Sequence, residues 1–139
     1  MSTRSLIARQ TTNGYEAIYC HHDGYTRHMG PILTGHYTTE DKLQALLNLG
    51  DLSCLAPEIG KKHDFKTHGQ VPGEENWCLA YGRDRGRRGA AKRFLATEDA
   101  LIDEAHRSCA EYLYLFRDGT WVYRKLTENQ AEWQRCQAA

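Results

Sequence analysis

The chain has 139 residues, 40% of them hydrophobic, with 18 basic and 18 acidic side chains and a formal net charge of zero. One hydrophobic core is expected at that length, burying roughly two thirds of the unfolded surface. Zero net charge excludes a global field that draws in nucleic acid or an anionic membrane, so any electrostatic partner must be met by a local patch.

The opening MSTRSLIARQ lacks the apolar stretch of roughly 7–15 residues that marks a secretory signal, and no run approaches the roughly 18 apolar residues that span a bilayer. A cytoplasmic protein with no membrane partner is expected. Five cysteines, Cys20, Cys54, Cys78, Cys109 and Cys136, are scattered and never spaced as C-x-x-C. That pattern argues against a disulfide framework or a four-thiolate zinc site, and for thiols that act as small hydrophobes in a reducing compartment. No cofactor is implied.

In chain order, SLIARQTT and YEAIYCHH flank Asn13-Gly14, a dipeptide suited to a two-residue hairpin turn because both central residues need positive φ. GPILTGHY, with Pro31 near its start, predicts a short helix or turn before Tyr37. TTEDKLQALLNLG predicts a helix with Thr38 as cap, Leu43, Leu46 and Leu47 on one face, and Gly50 as the left-handed stop.

Residues 60–76 hold three glycines, a proline and six charged side chains without periodicity, which predicts a long exposed loop. WCLAYG predicts a strand, RDRGRRGAAKR an arginine-rich loop, and FLA a further short strand. Thr97 caps a second helix, EDALIDEAHRSCAE, whose Glu98 and Asp99 suit the positive end of its dipole. YLYLF and TWVYRKL form a second hairpin around Asp118-Gly119, and a short terminal helix is expected over 127–137. The order predicts one α+β domain over 1–139: a twisted, mainly antiparallel sheet with two main helices packed on one face.

Two segments carry candidate chemistry. IYCHHDGYTRHMG, Ile18–Gly30, packs a cysteine, three histidines, an aspartate and two tyrosines into thirteen residues. Alternation along a strand sends Cys20 and His22 to one face and Tyr19, His21 and Asp23 to the other, which rules out a Cys20/His21 nucleophile pair. The plainest reading is a strand end whose His21 and Asp23 hydrogen-bond the following turn. A zinc site would draw on His21, Asp23, His28 and His36, but their spacing matches no common zinc pattern and no metal is assigned.

YGRDRGRRGAAKR, Tyr81–Arg93, holds five arginines and a lysine around one aspartate. Arginine forks grip phosphate or carboxylate; the plain alternative is a solvated hairpin loop in which Asp84 pairs with Arg83 or Arg85, exposed pairs contributing little. No G-x(4)-G-K-[ST] loop, strand-G-x-G-x-x-G-helix unit, G-x-S-x-G elbow or H-E-x-x-H helix is present.

IYCHHDGY (Ile18–Tyr25), GPILTGHY (Gly30–Tyr37), LLNLGDLSCL (Leu46–Leu55) and AYGRDRG (Ala80–Gly86) together resemble a family of small proteins encoded by phages, prophages and other mobile elements, over about residues 4–125. The sequence departs from that pattern at His22, where an aromatic is expected, at TRHM, and at RGRR, where an acidic residue usually follows the glycine. The resemblance implies stoichiometric binding to a host protein or ribonucleoprotein complex of defence or nucleic-acid processing, as an anti-CRISPR or anti-restriction inhibitor would bind. The contacts expected are Arg83, Arg85, Arg87 and Arg88, with Tyr25 and His28.

Two alternatives stand beside it. A small phosphodiesterase or nucleotide-modifying enzyme would need His21, Asp23, His36 and Arg83 in one cleft. A homodimeric assembly protein would use an edge strand and the aromatics Tyr112, Tyr114, Trp121 and Tyr123 of the last hairpin. Strong binding of free nucleic acid is not expected from six basic residues in an otherwise neutral chain.

Overall fold

The computed structural model describes residues 2–62, 76–127 and 132–138. Its elements are β1 (Ser5–Thr11), β2 (Gly14–Cys20), α1 (Thr26–His36), α2 (Glu40–Asn48), β3 (Leu52–Cys54), β4 (Leu79–Ala80), α3 (Tyr81–Arg85), β5 (Arg93–Leu95), α4 (Glu98–Arg107), β6 (Tyr112–Arg117), β7 (Thr120–Lys125) and β8 (Gln134–Arg135). The α+β class is as the sequence predicts. None of the described helices is long and apolar enough to cross a membrane.

The strands form one mixed sheet in the order β4-β3-β2-β1-β6-β7-β8, with β5 also on β2. β1 pairs antiparallel with β2 and parallel with β6. The outer edge of β2 is shared end to end: Tyr15–Ala17 pair with β5, and Cys20 pairs with Leu52 of β3. Because β1 lies in the middle, its run Ser5–Arg9 is buried throughout, and a run without polar alternation is what two covered faces require.

The helices do not share one face. Ile7 and Ile18 point into a core with Met29 and Leu33 of α1 and Leu43, Leu46 and Leu47 of α2. Their neighbours Leu6, Ala8 and Ala17 point into a second core with Leu101 and Ala105 of α4, Leu113 and Leu115. The expectation of two main helices on one face is thus corrected: α2 and α4 cover opposite faces, because β1 and β2 offer apolar side chains on both.

Local signals held to different degrees. Thr97 accepts the Ala100 N–H at 3.1 Å and caps α4 as expected, and Asp118-Gly119 turn with φ of 52° and 73°. The first hairpin is shifted by one residue: Thr11 pairs with Gly14, so the loop is Thr12-Asn13. Thr39, not Thr38, caps α2, accepting the Lys42 N–H at 3.3 Å. α1 begins at Thr26, before the segment expected to be helical, and carries Pro31 inside it.

The expected strand at WCLAYG shortens to Leu79–Ala80 and turns at once into α3, where a loop is expected. Within the expected terminal helix, Gln134 and Arg135 instead form β8, paired to Tyr123 and Val122 of β7. Most of the expected loop at 60–76, with His63 and His68, lies outside the described residues.

Candidate functional site

Arg83 leads the arginine segment, and its guanidinium is turned inward. It donates to the Ile59 and Cys78 carbonyls, both at 2.7 Å, and to Asp84 through Nε at 3.0 Å and Nη2 at 3.2 Å. Asp84 also accepts the Ala80 N–H at 2.7 Å, and its side chain is 1% exposed. The Arg83–Asp84 pair is therefore a buried staple holding α3 to β4, not the exposed loop pair that the sequence suggests, and it removes Arg83 from the surface expected to meet a partner. Arg93 is occupied in the same sense, forking onto Asp51 at 2.8 and 2.9 Å and reaching Glu104 at 3.2 Å.

Arg85, Arg87 and Arg88 are exposed. Arg87 lies over the Tyr81 ring at 4.6 Å and Arg85 at 5.7 Å from its centroid. The chain reverses there because Gly86 takes φ 65° and the Arg87 N–H returns to the Tyr81 carbonyl at 3.0 Å. A glycine is needed at that left-handed position, so the three arginines project from a turn whose base is locked by Arg83 and Asp84.

The histidine-rich strand end is separate in part. The Tyr19 hydroxyl and His21 Nδ1 are 2.7 Å apart, as two residues on one side of a strand can be. His22 packs edge-on to His21 and pairs through Nδ1 with Ser2 Oγ at 2.8 Å. Burial, the neighbouring His22 and the Arg4 charge all hold His21 below the usual histidine range, and burial raises the Tyr19 hydroxyl. A protonated Tyr19 can donate to Nδ1 of a neutral His21, the tautomer in which Nε2 carries the N–H.

The following turn is not built by His21 and Asp23 side chains. Asp23 is exposed with φ 57°; the turn is held instead by the Gly24 N–H to the Thr3 carbonyl at 2.9 Å and the Tyr114 hydroxyl to the Gly24 carbonyl at 2.6 Å. His28 Nε2 meets the Leu55 carbonyl at 3.0 Å. Tyr25 is 39% exposed, its ring 6.2 Å from that of His28. His36 is exposed at the far end of α1, about 16.5 Å of helix rise away from Tyr25 at roughly 1.5 Å per residue.

His21, Asp23, His28 and His36 therefore do not converge, and among the described residues no three His, Cys, Asp or Glu side chains could hold a metal ion. The set His21, Asp23, His36 and Arg83 is not assembled either, since Arg83 is tied inward and His36 lies remote. The aromatics of the last hairpin are core residues: Tyr114 is fully buried, Trp121 is 2% exposed, and Tyr112 and Tyr123 pack against them. β8 pairs with Val122 and Tyr123 on the outer edge of β7, so the outermost strand on that side is β8 and not the aromatic hairpin.

What the fold does bring together is a cleft of about 490 Å³ lined by Tyr19, His21, Asp51, Tyr81, Arg87, Gly89 and Ala90. Asp51 organises its floor. The Asp51 carboxylate accepts the Tyr19 N–H at 2.9 Å as well as the Arg93 fork. Its backbone donates to the Ala90 carbonyl at 2.7 Å and accepts from Tyr81 N–H at 3.0 Å. Gly50 makes this approach feasible, because a Cβ there would stand 2.1 Å from the Ala90 oxygen.

Sequence reasoning named His21 and Arg87 but not Tyr19, Asp51 or Tyr81. Tyr19 carried a signal, the two-residue spacing to His21; Asp51 and Tyr81 lie within the singled-out segments 46–55 and 80–86, but their place in the cleft is set by β3 and α3. No family model, curated protein or solved structure matches this chain.

Proposed function

We propose that this chain acts by stoichiometric binding, as an accessory protein of a phage or other mobile element, to a host complex of defence or nucleic-acid processing. Arg85, Arg87 and Arg88 supply the charged contacts. One observation carries the reading: in a chain of zero net charge, three exposed arginines stand within four residues on a turn with a buried ionic base. A rigid, locally basic surface suits an acidic protein face or a phosphate backbone, and such contacts act mainly on association rate and specificity.

The test is capture from host lysate at moderate salt with the unsubstituted protein and with R85E/R87E/R88E. A stoichiometric complex retained by the first and lost by the second, with retention falling as salt rises, is the expected result. Equal retention by both proteins, or none by the intact protein, overturns the reading.

A further inference from the structure

The cleft between the end of β2 and the α3 turn holds polar groups that the fold does not use. Three arginines elsewhere are held by carboxylates: Arg9 by Glu16 and Glu40, Arg83 by Asp84, Arg93 by Asp51 and Glu104. No described residue accepts a hydrogen bond from the Arg87 guanidinium, although its position is set by the Tyr81 ring and by its own N–H. His21 Nε2 likewise has no hydrogen-bond partner among the described residues, while Nδ1 is fixed by Tyr19.

The surrounding charge favours an anion. Arg4 is exposed, and its charge acts on both Tyr19 and His21. Asp51, the carboxylate in the lining, is compensated by the Arg93 fork and the Tyr19 N–H, so it repels little. Tyr19, Tyr81 and His21 add flat walls, and about 490 Å³ lies within the range of sites for small organic ligands.

We propose that this cleft binds a phosphate monoester carrying a flat ring, of nucleoside-monophosphate size, with Arg87 forking the phosphate, His21 Nε2–H donating to it, and the ring against the tyrosines. Free nucleotide and the 5′-phosphorylated end of a strand present the same chemistry. The proposal goes beyond the docking surface and does not depend on it, because Tyr19 and His21 lie outside the arginine triple. Arg88 belongs to that surface and is absent from the cleft lining, so it separates the two.

The experiment is a titration of the full chain with adenosine 5′-monophosphate, adenosine, and a trinucleotide with and without its 5′ phosphate, followed by calorimetry and by the His21 ring signals in NMR. Binding of either phosphorylated probe is expected, with the unphosphorylated counterparts weaker by tenfold or more, as the loss of a charge-assisted contact of about 1.4 kcal/mol or more implies. Saturation with the monophosphate but not the strand identifies free nucleotide as the source; the converse identifies the strand end. R87A and H21A should each lose about tenfold, and R88A should bind as the parent does.

In the unsubstituted protein the His21 titration midpoint should rise on saturation, since a nearby dianion favours the imidazolium against Arg4, Arg87 and His22, the cations and the ring that face it with Tyr19, Tyr81 and the compensated Asp51. This readout needs no variant to fold. Equal binding with and without the phosphate, no binding of any probe, or a His21 midpoint unmoved at saturation overturns the proposal.

Discussion

Replacing Asp84 by alanine tests whether the α3 turn is held by a buried ion pair. The side chain is 1% exposed and accepts from the Ala80 N–H and from two nitrogens of Arg83, which is itself 18% exposed. Removing the carboxylate orphans the Ala80 N–H and leaves the guanidinium with two carbonyls, Ile59 and Cys78, as neutral acceptors. Breaking a buried pair from one side costs roughly 3–5 kcal/mol, and the partial exposure of Arg83 puts this case near the lower end, about 3 kcal/mol. For a chain between the 100- and 150-residue classes, about 3–4 °C is lost per kcal/mol, so the melting temperature should fall by roughly 10 °C. Thermal unfolding by circular dichroism, with urea midpoints at 25 °C, is the assay. D84N keeps an acceptor for Ala80 and should lose about half as much. The cycle of R83A, D84A and the double variant should show a coupling above roughly 1 kcal/mol. A D84A protein that melts within about 2 °C of the parent would refute the buried-staple reasoning, because surface substitutions typically cost no more than that.

Two glycines separate a steric requirement from a conformational one. Gly50 and Gly119 have φ of 77° and 73°, but only at Gly50 does a Cβ meet backbone, 2.1 Å from the Ala90 oxygen. G119A should cost roughly 1–2 kcal/mol for the left-handed conformation alone, and G50A clearly more; indistinguishable urea midpoints would contradict this. Thiol labelling at pH 8 should show one fast-reacting cysteine, the exposed Cys109. Burial pushes the Cys20 and Cys136 thiols up to about 12, so their reactive thiolate is scarce. A fast phase that survives C109S would show that another thiol is open to solvent.

The sequence by itself determined those features whose physics is local. The Thr97 cap works because a side-chain oxygen reaches an N–H three residues on, and the Asp118-Gly119 turn because those residues tolerate positive φ. The apolar face of α2 was legible from the spacing of Leu43, Leu46 and Leu47, all of which are buried. From these the α+β class follows.

Tertiary structure decided which face each helix covers, since apolar residues on both sides of β1 and β2 are compatible with either arrangement until the chain crosses over. It also sorted the arginines. Arg83 and Arg87 sit in one short segment and are chemically identical, yet one points into carbonyls supplied by residues 59 and 78 and the other lies on Tyr81 facing the cleft. Likewise His21 gained Arg87 and Tyr81 as neighbours, while His36, close to it in sequence, was carried off by the rise of α1. Spacing along the chain gives the side chains' chemistry, but a site is a convergence of directions, and directions are set by contacts between residues distant in sequence.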